Sequence, residues 1–252
     1  MTSNYKTECG TLCLFLTLLW GCSLHAEEQK PPACREDAMI VFDASGSMYG
    51  DGWGYASTSK MSRIDNAKSA IANVLPSIAR SRRVGLITFG PGPYNQCNVK
   101  LELKPTSNAA DRIMGIIDAL VPAGKTPLTT AVEQAANVLD FREKPGVIVV
   151  ITDGEETCGR SPCQLGKELH AEAAQLTINV IGLRVRGFSW TGEQSIVETK
   201  CLAEQNGGAY IPVETEDELA SAFEKTLGCP MISQRDGPQF TRHQPSGLLM
   251  MK

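Results

Sequence analysis

Histidine is scarce in this chain of 252 residues, which has three, His25, His170 and His243. None stands in a metal-like spacing with a cysteine, so a zinc site has no ligand set to draw on. Basic charge is not in excess either. The 24 Lys and Arg against 28 Asp and Glu leave a net charge of -4, which gives no electrostatic footprint for nucleic acid. Long apolar runs are missing: the run at residues 11–20 has about ten residues, too few to span a bilayer, and no transmembrane span is expected in the mature chain. No internal repeat is visible. What is present, 42% apolar and 21% charged residues, is ordinary for a soluble globular protein.

The amino-terminal run has the form of an address. Lys6 precedes it, and Ser23-Leu24-His25-Ala26 supplies the small residue at which a secretory signal is cleaved. Residues 1–26 are therefore read as a signal peptide, 27–36, with Pro31 and Pro32, as a linker, 37–229 as one domain and 230–252 as a flexible tail. The mature protein is expected in the periplasm or secreted. Leu19-Trp20-Gly21-Cys22 also approximates a lipoprotein signal, with Cys22 as the residue that would carry lipid, although Trp20 fits that pattern poorly. Of nine cysteines, Cys9, Cys13 and Cys22 fall in this region. The remaining six, Cys34, Cys97, Cys158, Cys163, Cys201 and Cys229, are an even set in an exported chain, which implies disulfides. Cys34 and Cys229 bracket the domain; if they pair, a local pairing of Cys158 with Cys163 would leave Cys97 with Cys201, and crossed pairings stay open.

Strand and helix patterns alternate through the domain. The apolar run 38–42 predicts a buried strand, and the Gly- and Ser-rich stretch 49–60 a loop. Ile64, Ala67, Ala70, Ile71, Val74, Leu75 and Ile78 predict a helix over 62–80, with Pro76 kinking or shortening its last turns. The Arg80, Arg82 and Arg83 cluster reads as its solvated end. Strands are predicted at 84–89, after Gly90-Pro91-Gly92-Pro93 at 99–103, at 146–152, 178–183 and 210–213. Helices are predicted at 108–120, 128–141, 162–175, 193–205 and 216–227. The short connection through residues 90–93 suggests a hairpin, hence an antiparallel edge strand on a parallel sheet. The expected fold is α/β, three-layered and doubly wound, with a mostly parallel six-stranded sheet.

Three segments place oxygen ligands at the ends of these elements. Asp43-Ala44-Ser45-Gly46-Ser47 follows the first strand, Gly124-Lys125-Thr126-Pro127 precedes a helix, and Thr152-Asp153-Gly154 ends the β-branched run 147–151. In an open parallel sheet the carboxyl ends of neighbouring strands converge on one edge, so these loops would meet. Two carboxylates and three hydroxyls form a hard, all-oxygen set suited to Mg²⁺, with Mn²⁺ as an alternative. The Asp-x-Ser-x-Ser pattern, followed by Thr126 and Asp153 in that order, resembles the von Willebrand factor type A (VWA) domain with its metal-ion-dependent adhesion site, and the phrasing around Thr126 and Asp153 is similar to that family's bacterial, exported branch.

The resemblance implies a binding module whose metal, held by Asp43, Ser45, Ser47, Thr126 and Asp153, bridges to an acidic residue of a protein partner. It also implies pairing of Cys34 with Cys229, as terminal disulfides do in several members. Tyr49, Trp53, Tyr55, Phe188 and Trp190 lie in loops leaving the same edge and are candidate partner contacts. The Glu155-Glu156 pair reads as solvated loop charge, with tuning of the site from outside the ligand set as the alternative. No catalytic residue is assigned. A metal-dependent phosphoesterase is the rival, but such phosphatases want a second Asp at position 45, and no general-base His is close to the three loops. A purely structural domain is the other alternative.

Overall fold

The computed structural model describes residues 34–50, 62–183 and 192–229. The signal and linker through residue 33, Cys22 with them, the candidate contacts Trp53, Tyr55, Phe188 and Trp190, and the tail lie outside the described residues. Among those described, six strands form one sheet: β1 (Asp37–Asp43), β2 (Val84–Phe89), β3 (Val99–Thr106), β4 (Pro145–Thr152), β5 (Gln175–Leu183) and β6 (Tyr210–Val213). Their order is β3-β2-β1-β4-β5-β6. All neighbours pair parallel except β2 with β3, the expected hairpin at the edge.

Six helices cover the sheet: α1 (Arg63–Ser81), α2 (Ala110–Asp118), α3 (Leu128–Val138), α4 (Pro162–Glu172), α5 (Gly192–Gln205) and α6 (Glu216–Leu227). The period of two along β1 sorts its side chains into two cores. Ala38, Ile40 and Phe42 pack with buried residues of α1, α2 and α6. Met39 and Val41 pack with those of α3 and α4 and with Leu202 and Ala203 of α5. Both faces of the central strands are thus covered, which explains why β4 reads as an unbroken β-branched run instead of an alternating one. The architecture is the three-layer, doubly wound fold expected.

Several boundaries differ from the sequence reading, each for a local reason. Pro76 does not shorten α1, since the helix continues to Ser81. Pro76 and Ala72, whose carbonyl loses its helical donor, both lie on the exposed side, where water can take that bond. Left-handed Asn108 (φ 53) and Asp140 (φ 58) delay the start of α2 and end α3 early. Helix α4 stops at Glu172 because Gln175 is already paired with Pro145 in the sheet. Of the arginine cluster, Arg80 is exposed in the last turn of α1 as read, but Arg82 is not solvated. Arg82 is 5% exposed and faces Glu36 at 3.7 Å, and Arg83 donates to the Pro105 carbonyl at 2.9 Å.

Among the described residues the disulfides are Cys34–Cys229, Cys97–Cys158 and Cys163–Cys201. The terminal bridge is as the resemblance implied; the local Cys158–Cys163 pairing is wrong. Cys163 lies in the first turn of α4, and α4 packs along α5, which carries Cys201. Cys158 is left on the loop after β4, from which it reaches the β2–β3 turn at Cys97.

At the carboxyl edge the loops stack backbone on backbone. Ala44 N donates to Phe89 O, Ala123 N to Ala44 O, Gly46 N to Gly124 O and Gly124 N to Gly90 O. Gly90 has φ +86, and a Cβ there would overlap the backbone at Ser45; one on Gly124 would lie 2.6 Å from the Gly90 carbonyl. Only glycine allows both the conformation and the approach.

Two outcomes follow from this packing. Replacing Cys34 and Cys229 together by Ser opens a closure of 195 residues and is expected to cost about 2–5 kcal/mol, read as a lowered midpoint in urea. Gly90→Ala forces both strain and displacement of Ser45, and is expected to cost about 2 kcal/mol or more in the same assay; a midpoint equal to wild type would contradict the stacking.

Candidate metal centre

The topology reverses at β1, which has β2 on one side and β4 on the other. Connections leave this point in opposite directions, so a crevice opens beyond the strand ends. Asp43 is the last residue of β1, and Asp153 follows the last residue of β4. Parallel pairing of Phe42 with Ile151 therefore delivers the two carboxylates side by side.

Asp43 is fully buried. Its Oδ1 accepts from the Ser45 backbone N–H at 2.7 Å, and its Oδ2 from the Thr152 hydroxyl at 2.6 Å. Burial, and secondarily the Asp153 charge, pushes its carboxyl up to about 7, against the pull of these hydrogen bonds. The chain then makes one 3-10 turn, Gly46–Tyr49, which brings Ser47 Oγ back to 3.0 Å from Ser45 Oγ. Ser47 Oγ donates to Asp153 Oδ1 at 2.7 Å. Ser45 is 1% exposed, whereas Ser47 lies at the surface, so the cluster has a closed floor and an open mouth.

Thr126 joins from the other side. A Cβ placed on Gly154 would lie 3.4 Å from Ser47 Oγ and 3.7 Å from Thr126 Oγ1, so both hydroxyls border the same small space. The Thr126 backbone is laced to the loop after β4: its N–H donates to Thr157 Oγ1 at 2.8 Å, and its carbonyl accepts from the Thr157 N–H at 3.0 Å. The structure thus brings together all five residues singled out in the sequence.

Three participants were not assigned beforehand. Arg63, the first residue of α1, donates from one guanidinium nitrogen to Asp153 Oδ2 at 2.6 Å and to the Ser47 carbonyl at 2.8 Å. Glu156 is not solvated loop charge. Its Oε2 accepts from the Thr129 N–H and hydroxyl, at 2.8 and 2.7 Å, and its Oε1 from the Cys158 N–H at 2.7 Å. It caps the first turn of α3, two residues beyond the left-out N–H of Pro127, and so fixes the base of the Thr126 loop. Thr157 was also missed; a hydroxyl bonded to backbone leaves no periodic signal. Tyr49 is 73% exposed at the mouth, as a contact residue needs to be.

The donor set fits a hard cation. Among the described residues no group of three or more His, Cys, Asp or Glu could hold a metal, so a thiolate or imidazole site is not what the residues offer. What they offer is two nearly buried carboxylates, the Asp153 side chain being 1% exposed, with hydroxyls completing an all-oxygen set.

Residues 38–156, which contain all five motif positions, match the family model of the von Willebrand factor type A domain. The uncharacterized protein YwmD of Bacillus subtilis (strain 168) is 29% identical over 230 residues, covering 86% of this chain and 94% of its own. The uncharacterized protein YwmC of the same organism is 28% identical over 212 residues, covering 78% and 83%. Among solved structures, an aerotolerance-related membrane protein from Bacteroides fragilis NCTC 9343 superposes with a TM-score of 0.54 at 21% identity, over 76% of this chain and 98% of that one. Over residues 38–156 the chain is thus similar to the von Willebrand factor type A domain, and its six-stranded α/β sheet is the fold of that kind.

Proposed function

We propose that the protein is an exported binding module, not an enzyme, that engages a protein partner through a divalent cation at the carboxyl edge of its sheet. The observation that carries this reading is the convergence of Asp43, Ser45, Ser47, Thr126 and Asp153 on one space from three separated segments. Ser45, Ser47 and Thr126 would hold the ion with neutral hydroxyls, and Asp43 and Asp153 would supply charge. A cation so held, Mg²⁺ or Mn²⁺, supplies an electrophilic position at the mouth, since three neutral donors leave its charge incompletely cancelled. A carboxylate is the side chain that such a position attracts.

The chain's own residues prepare that contact. Thr152 and the Ser45 N–H fix the orientation of the Asp43 carboxylate, Ser47 orients Asp153, and exposed Tyr49 offers apolar area beside the mouth. The three disulfides among the described residues favour an oxidising compartment, in keeping with the signal-like amino terminus. No helix among the described residues is long and apolar enough to cross a membrane.

Titration with Mn²⁺, followed by electron paramagnetic resonance and competed with Mg²⁺, is the direct test. Wild type is expected to bind one ion. Asp43→Asn and Asp153→Asn, which keep shape and remove charge, are expected to weaken binding by at least about tenfold, the loss of one charge-assisted ligand. Circular dichroism should be unchanged. Undiminished Mn²⁺ binding in both variants would place the ion elsewhere.

A further inference from the structure

Arg63 is poorly placed for anything except Asp153. It opens α1, where a cation faces the positive end of the helix dipole, and the capping there is done by its neighbours Ser62 and Asp65. Its guanidinium crosses Gly50: a Cβ on that residue would lie 3.1 Å from the nitrogen that binds Asp153 and 3.3 Å from the guanidinium carbon. Gly50 has φ -60, which any residue adopts, so what glycine contributes there is room for the arginine. The Nε of Arg63 is buried and has no hydrogen-bond partner among the described residues. An unfavourable helix position and a buried unpaired donor are tolerated together because one nitrogen clamps Asp153 Oδ2 and the Ser47 carbonyl.

With Ser47 Oγ on Oδ1 and Arg63 on Oδ2, both oxygens of Asp153 are engaged. An entering cation meets a carboxylate whose charge is already answered by a guanidinium in contact with it. We propose that Arg63 is an internal counter-ion that competes with the divalent cation for Asp153, so that the Arg63–Asp153 pair and metal loading oppose each other. This rests on the metal-centre reading above and adds a regulator to it. The pair keeps the Asp153 carboxylate in place when no ion is bound, at the cost of affinity when one is. Because linkage is reciprocal, an ion that binds strongly enough to displace the guanidinium frees it at the mouth.

A residue that merely positioned Asp153 would have the opposite effect on affinity, which makes the idea testable. Mn²⁺ and Mg²⁺ affinities are to be measured by calorimetry and paramagnetic resonance for wild type, Arg63→Gln, Arg63→Met and Arg63→Lys, with folding checked by circular dichroism. Two neutral replacements guard against one failing to fold, and Arg63→Lys keeps the charge. Both neutral variants are expected to bind about tenfold more tightly, within the usual range of coupling between two sites, and Arg63→Lys to stay near wild type. Binding by the neutral variants where wild type shows none would support the proposal equally. Equal or weaker binding by folded neutral variants, with wild type still binding, would overturn the competition and leave the metal centre standing. No binding by any of the four would overturn both.

Discussion

Two carboxylates buried side by side are the constraint to which the rest of this edge responds. Adjacent parallel strands β1 and β4 end in register, and that register puts Asp43 and Asp153 together where water is largely excluded. Unpaired buried charge is among the most costly things a fold can hold. Nearly every polar group nearby answers that cost. The Ser45 N–H and the Thr152 hydroxyl take the oxygens of Asp43, while the Ser47 hydroxyl and the Arg63 guanidinium take those of Asp153. A fold seeking only stability would place apolar groups here. The retention of both carboxyl groups, with hydroxyls beside them, is what marks the edge as a candidate site.

Holding such a cluster requires loops that do not drift, and covalent and hydrogen-bonded braces supply this. The Thr126 segment is sandwiched. On one side Gly124 and Lys125 donate to the carbonyls of Gly90 and Gln96; on the other Thr126 is laced to Thr157. Cys97 and Cys158, which belong to these two flanking loops, are joined to each other. The disulfide therefore closes a ring around the segment that carries the fifth candidate ligand. Glu156 extends the same brace into α3. A local Cys158–Cys163 bridge would have tied one loop to its own neighbour and left the Thr126 segment without that ring.

Much of this was legible in the sequence because it depends on periodicity and on motif. The strand at Val84–Phe89, the last helix and the hairpin edge emerged as read, since apolar spacing and the turn at residues 90–93 report burial directly. The five oxygen-bearing residues were readable because fixed chemistry at strand ends leaves a pattern in types and order. What failed to show was whatever depends on partners distant in sequence. Arg63 looks like one polar residue at a helix start, and nothing nearby hints at Asp153, 90 positions away. Glu156 reads as loop charge until α3 is seen to begin beneath it. Arg82 reads as a solvated helix end until it is seen buried and facing Glu36. That Pro76 does not shorten α1 has the converse reason: its local penalty is real, but an exposed helix side lets solvent absorb it.

Helix α1 joins these two kinds of constraint. Its first residue grips the site through Asp153, and its last, Ser81, accepts through its carbonyl from the Cys34 N–H beside the terminal disulfide. Nineteen residues at about 1.5 Å each make it a rod of roughly 28 Å, packed along α6, which leads to Cys229. The far end is hydrogen-bonded to a residue of the terminal disulfide, whereas the near end, capped by Ser62, reaches the site through one charged group that extends over a glycine. If Arg63 leaves Asp153, the helix need not slide. The side chain alone can swing, because its anchor at the Ser62 cap is independent of the ion pair. Charge at the site can therefore change while the body of the domain keeps its packing, which is the division of labour expected of a rigid scaffold that presents an adjustable binding edge.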